Sequence, residues 1–374
     1  MTPTADGDWM KRHRVTRHGS TLPGQVWLDT SGNPIHAHAG SILEHDGDFY
    51  WYGENKERTT PGSGVWHWGV RCYRSNDLYN WEDLGLIVPP VEDDPTSPLH
   101  PSAKADRPHI IRTREGRWVC WIKVMTASGA QESTVLSADD LLGPWTVVRT
   151  GLRPLGMSAG DFDLVVDPHD GKGYYYFERV HSELICADLT DDLTDVTGYY
   201  STHLPLGRPP YVREAPAYFT RRGKHYLITS GTTGYLPNPS QVAVADTYHG
   251  PWVTLGDPHP DDASRTSYCS QVSSVFKHPH KQDLYIALAD RWLPPLMDSP
   301  DFPSGRLSRD IEDLVANSEP NKEPVLPGSF TSDLRRVLRE ENTSQATYVW
   351  LPLRFDGSMA YLDWTDEWSI EDYD

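Results

Sequence analysis

Cysteine is scarce in this chain. Its four residues in 374, Cys72, Cys120, Cys186 and Cys269, are spread with no close pair among them. That spacing offers neither a disulfide framework nor a thiolate zinc site, so reduced, buried thiols are expected. Long apolar runs are missing as well. No stretch is long enough for a membrane-spanning helix, and the basic start MTPTADGDWMKRHRVTRHGS leads into no apolar segment, so no secretory signal is read there. A cytoplasmic location is the expectation from these two absences. Positive charge is in deficit too: 34 Lys and Arg face 53 Asp and Glu, a formal charge of −19. Such a surface repels nucleic acid and anionic membranes, which argues against both as partners and leaves a neutral ligand easier to reconcile.

What is present is a repeat. Four stretches carry nearly the same phrase: Tyr73–Gly85 (YRSNDLYNWEDLG), Val135–Val148 (VLSADDLLGPWTVV), Ile185–Gly198 (ICADLTDDLTDVTG) and Ala243–Gly256 (AVADTYHGPWVTLG). Each follows an apolar, strand-like run that itself follows a glycine turn: Gly47 into DFYWYGE, Gly116 into RWVCWI, Gly171 into KGYYYF and Gly223 into KHYLITS. LYIAL at Leu284–Leu288, then YVWLPLRF and MAYLDW, complete the series. A unit of roughly 50 to 65 residues with several strands and no helical period reads as the blade of an all-β propeller. The 14 Trp and 19 Tyr suit thin sheets that pack face to face through bulky side chains.

Two segments interrupt the repeat. Val91–Ala105 is a polar, Pro-rich loop, and Leu293–Asn342 is a longer insertion with helix-like pieces at Ser308–Val315 and Ser332–Glu340. Loops this long shape a site or an interface.

A propeller brings the innermost strands of its blades to one central channel, so acids beside apolar strands are the candidates for chemistry. Glu54 after FYWYG, Asp106 in ADRPHII, Asp161 in GDFDLVVDPHDG and Glu214 in VREAPAYF meet that description. A lone carboxylate there is costly to bury without a partner or a purpose. The structural alternative for each is a turn acid or half of an ion pair.

Taken in order, HAHAGSIL, FYWYGENK, DRPHII, GDFDLVVDPHDGKGYYYF, REAPAYF, SGTTGYLPNP, SQVSSVF, ADRWLP and YVWLPLRF resemble glycoside hydrolase family 43, and within it the exo-β-1,3-galactanase branch. The likeness runs from Trp27 to Trp368. It implies a five-bladed β-propeller over residues 23–374, after an N-terminal extension of residues 1–22, that hydrolyses glycosides with inversion. Glu214 matches the general acid and Asp161 the aspartate that orients it and raises its pKa, with Asp163 as the alternative. The early general-base aspartate of most members is absent, because HAHAGSIL carries His38 and Ala39 in its place. The resemblance puts Gln271 of CSQVSSVF in that role, with Asp106 as the competitor. An amide is a poor base and acts only as an imidic tautomer or by holding the water.

Glu54, Arg107, Glu178, Thr232 and Arg291 match positions that line the sugar subsite. Trp66, Trp121, Tyr235 and Trp292 are candidates to stack on a pyranose, with blade packing as the alternative. His36 and His38 alternate as two ligands on one strand face would, but no third ligand accompanies them, so no metal or other cofactor is expected beyond a structural cation or water in the channel. An oligosaccharide is the expected partner, and the oligomeric state stays open. An arabinofuranosidase, xylosidase or galactofuranosidase is the rival enzyme reading. A sugar-binding propeller without catalysis is disfavoured by the retention of Glu214 and Asp161.

Overall fold

The computed structural model describes residues 17–205, 211–294 and 342–374; most of the 293–342 insertion, including both helix-like pieces, and the first 16 residues lie outside them. Among the described residues, twenty strands form five four-stranded antiparallel meanders. The first holds β1 (His38–His45), β2 (Asp48–Glu54), β3 (Val70–Ser75) and β4 (Glu82–Val88). The second holds β5 (Lys104–Arg112), β6 (Trp118–Met125), β7 (Gln131–Ala138) and β8 (Thr146–Leu152). The third runs β9 (Ala159–Val166), β10 (Gly173–Arg179), β11 (Glu183–Leu189) and β12 (Val196–His203). The fourth runs β13 (Arg213–Arg221), β14 (Lys224–Gly231), β15 (Gln241–Ala245) and β16 (Val253–Gly256). The fifth holds β17 (Gln271–Lys277), β18 (Tyr285–Arg291), β19 (Thr347–Asp356) and β20 (Met359–Leu362).

The first strands form a closed ring in the order β1, β5, β9, β13, β17 and back to β1, which is the channel of a five-bladed propeller. The repeated phrase is the connection from the third to the fourth strand of a blade. The glycine turns lie between first and second strands, where Gly47 and Gly116 sit at φ 87° and 92°, a region that costs a side chain and suits glycine. Closure comes from both ends: Ser274 Oγ donates to Gly40 O at 3.2 Å, and Thr21 and Trp368 exchange backbone hydrogen bonds.

A cluster of buried side chains fills each junction between neighbouring sheets. Between the fifth and first blades, Trp51 packs against Trp81 at 5.4 Å and against Trp350 and Tyr348 at 4.6 Å between ring centroids. The Trp51→Ala variant is expected to lose about 3–5 kcal/mol of stability, the range for a buried Trp truncation, read as a lower midpoint in chemical denaturation. Fourth strands are different: β8 and β12 are largely exposed because they form the outer rim. Cys72, Cys120 and Cys186 are free, buried thiols, and Cys269 is half-buried.

Candidate active site

Each first strand carries a bulge at the same level. The register slips between His38 and Ser41, Asp106 and His109, Ala159 and Phe162, Glu214 and Ala217, and Val272 and Ser274. Ala39, Arg107 and Ala215 stand in these bulges at φ 49°, 52° and 49°, a strained setting that re-aims side chains at the rim of the channel. The second strand of each blade supplies a facing residue. The pairs are His38 with Glu54, Asp106 with Lys123, Glu214 with Ser230, and Gln271 with Asp290, while Glu178 faces the Gly160–Asp161 bulge. Gly160 lets that carboxylate in: a Cβ there would lie 2.3 Å from Glu178 Oε2.

These positions surround a cavity of about 500 Å3 whose wall includes Glu54, Asp106, Arg107, Asp161, Glu178, Glu214, Thr232, Gln271 and Trp292. The volume is that of an ordinary small-ligand site. Arg107 is its hub. Its Nε lies 2.9 Å from Asp161, its Nη2 donates to Gln271 Oε1 at 3.0 Å, and its backbone N–H donates to Glu54 Oε1 at 2.8 Å. Lys123 Nζ bridges Asp161 at 2.7 Å and Asp106 at 3.3 Å. Lys56 Nζ lies 2.8 Å from Glu54 and 3.7 Å from Asp106, and Trp66 Nε1 donates to Asp106 at 2.6 Å.

The carboxyls are pushed in opposite directions. Burial, then the charges of Asp161 and Glu178, hold Glu214 well above the usual carboxylate range. Burial also opposes ionisation of Asp161 and Asp106, but Arg107 and Lys123 beside the first, and Lys123 and Lys56 beside the second, outweigh it and hold both below their ordinary value. Glu54 is raised to about 7 by burial, which the Lys56 ammonium only partly offsets. A neutral acid therefore sits beside an ionised one, the pattern that separates proton donor from electrostatic partner.

Trp66 and Trp292 flank Tyr235 on one wall, with ring centroids 6.1 and 5.0 Å from it. The Val91–Ala105 loop supports that wall, since Trp66 N–H donates to Pro101 O at 2.7 Å. Trp121 is not part of it. Its ring is buried between the second and third blades, 4.8 Å from Tyr175, and its Nε1 donates to Leu193 O. Arg291 also turns away, because neighbours along a strand face opposite sides: its Nη2 donates to Tyr268 O at 2.9 Å and its guanidinium lies over Trp364, outside the cavity. Asp163 is a tie between blades, 3.0 Å from His109 Nε2 and accepting the Tyr218 backbone N–H.

His38 lies in a buried network with Asp290 at 3.1 Å and Tyr348 at 3.3 Å, and burial lowers the His36 pKa to about 3. Among the described residues no group of three or more His, Cys, Asp or Glu is placed to hold a metal ion. Lys56, Lys123, Met125, Gln131 and His181 are site residues that sequence reading missed. Aligning the ends of the second strands, DFYWYGE, RWVCWIK, KGYYYFE, KHYLITS and LYIALAD, finds Lys123 as the partner of Glu54, Glu178, Ser230 and Asp290.

Comparison with known proteins agrees with this architecture. A β-1,3-galactosidase of family 43 superposes with a TM-score of 0.74 at 26% identity, over 95% of this chain and 64% of that one. A second, solved with galactodeoxynojirimycin, gives 0.72 at 25% identity over 94% of this chain and 100% of its own. An exo-β-1,3-galactanase from Clostridium thermocellum gives 0.69 at 26% identity, over 94% and 66%. The chain thus spans about two thirds of the length of the first and third of these. No curated protein sequence matches it. The family model for glycosyl hydrolases family 43 matches residues 31–292. With that match across well over half of its length, the chain belongs to family 43 of the glycosyl hydrolases.

Proposed function

We propose that this protein is an inverting exo-glycosidase that releases galactose from β-1,3-linked galacto-oligosaccharides. The observation that carries the reading is the Glu214 carboxyl, half-buried and held well above the usual carboxylate range beside the ionised Asp161 at the wall of a sugar-sized cavity. Glu214 delivers its proton to the glycosidic oxygen as the bond to the anomeric carbon breaks, which is the step that limits a poor leaving group. Asp161 keeps that proton in place until it is needed. Asp106, Glu178 and Thr232 offer acceptors and a hydroxyl for the sugar's own hydroxyls, and the Trp66, Tyr235 and Trp292 wall offers a face for its C–H surface. The solved relatives supply the choice of sugar, since those at 25–26% identity act on β-1,3-galactosides by description.

A panel of β-1,3-galactobiose, β-1,3-galactotriose and the p-nitrophenyl glycosides of β-galactopyranose, galactofuranose, α-L-arabinofuranose and β-xylose tests it. Galactose release from the disaccharide and trisaccharide is expected to exceed release from every other glycoside at equal concentration. Faster turnover of the arabinofuranoside or xyloside sinks the choice of substrate.

A further inference from the structure

The floor of the cavity is crowded with paired charges, but its mouth is not. Gln131 lines the cavity, is only 7% exposed, and has no hydrogen-bond partner for its shielded Oε1. A buried amide oxygen left unpaired is costly, so its retention in the wall of a site calls for a reason. Thr232 Oγ1 is unpaired in the same wall, and the reading above gives it a sugar hydroxyl. Gln131 has no such assignment.

The register of the second blade places this amide. β6 pairs with β7 through Lys123 with Ser133 and Met125 with Gln131. Side chains two apart on a strand share a face, so Met125 and Gln131 stand on the same face as Lys123, roughly 7 Å further along the blade. Lys123 itself lies in the layer of carboxylates, against Asp161 and Asp106. The step from Lys123 to Met125 leads outward: residues 127–129 of the following turn are exposed, and so is Lys104, which pairs with Met125 on β5. The Gln131 backbone is fixed there, since its N–H donates to Ser158 Oγ, just before β9, at 2.9 Å. Gln131 therefore stands at the junction of the second and third blades, above the acids. In a ring of five that junction is opposite the fifth blade, where Trp292 follows β18.

On the galactosidase reading, the terminal sugar lies among the carboxylates and the rest of the substrate runs outward from the oxygen that Glu214 protonates. Resting on that reading, we infer that Gln131 holds the sugar on the leaving side, with its amide hydrogen-bonded to a hydroxyl of the second galactose. The contact makes Gln131 a specificity residue that favours an oligosaccharide over a galactoside whose leaving group carries no hydroxyl. An amide both donates and accepts, as a sugar hydroxyl does, so the pair satisfies the oxygen that the protein leaves unpaired. Met125, half-buried beside it in the cavity wall, adds an adaptable apolar contact for the ring.

Gln131→Met keeps the length of the side chain and removes the amide. Steady-state kcat/KM is measured for β-1,3-galactobiose and for the 2,4-dinitrophenyl β-galactoside, whose leaving group has no sugar hydroxyl. The ratio of disaccharide to aryl galactoside is expected to fall by about three- to tenfold, the worth of one neutral hydrogen bond. Galactobioses deoxygenated in turn at O2, O4 and O6 of the reducing-end sugar identify the hydroxyl. One of them is expected to lower the wild-type ratio by a similar factor and to leave the variant's ratio where the full disaccharide puts it. A ratio that Gln131→Met leaves unchanged overturns the inference, and so does a lowered ratio to which no deoxygenated disaccharide couples. The midpoint of chemical denaturation is expected to hold or rise, because the variant removes a buried polar group that has no partner in the fold. A lowered midpoint with equal losses on both substrates assigns Gln131 to folding. A wild type that prefers another glycoside overturns the galactosidase reading instead, and the same ratio taken with that sugar's disaccharide and aryl glycoside still tests Gln131.

Discussion

Replacing Glu214 by Gln is expected to lower turnover of β-1,3-galactobiose by about 10²–10⁴-fold, the usual contribution of a positioned general acid. The amide preserves the size of the side chain and its contact with Gln271, so the loss reports the missing proton and not a collapsed pocket. A dinitrophenol leaving group needs no protonation, and on the dinitrophenyl galactoside the same variant is expected to lose less than about tenfold. Steady-state kinetics on the two substrates read the contrast. Equal losses on both would assign Glu214 to binding or folding.

The Asp161→Asn variant acts on the same proton from a distance. The ionised Asp161 beside Glu214 is one cause of its raised pKa, after burial itself. Removing that charge lowers the Glu214 pKa, and it does so more strongly because Arg107 and Lys123, no longer balanced by Asp161, then favour an anion nearby. The acid must be protonated to act, so the basic limb of the pH-rate profile is expected to move to lower pH with the loss of a close like charge. Activity at alkaline pH falls most, while activity on the acidic side is largely kept. A pH profile of kcat/KM for the disaccharide measures the limb, and a limb in its original place would sink the role of Asp161.

Much of this was legible in the sequence for a physical reason. Blades repeat, so the turn phrases around Leu78, Leu141, Leu193 and Tyr248 repeat with them, and acids at the ends of apolar strands stand out because a carboxylate beside an apolar run needs a partner. Glu214, Asp161, Asp106 and Glu54 were visible in that way, and the structure brings them to one cavity. The partners of those acids were not. Lys123 closes an apolar run and reads as a strand end, although it balances two carboxylates at once. Lys56 lies just past the end of β2, where a lysine is ordinarily solvated, yet it is fully buried. Trp121 and Arg291 show the complementary limit. An aromatic residue in a blade fits a channel or a junction equally well, and one step along a strand moves a side chain to the other face. Only the register against neighbouring strands separates these cases.

The central claim is that a half-buried, neutral Glu214 drives a single displacement that inverts the anomeric carbon, and the anomer released first tests it most directly. Proton NMR spectra recorded within the first minutes of β-1,3-galactobiose hydrolysis, before mutarotation, are predicted to show α-galactose as the initial product. Initial β-galactose would mean a double displacement through a covalent intermediate, and it would contradict the account.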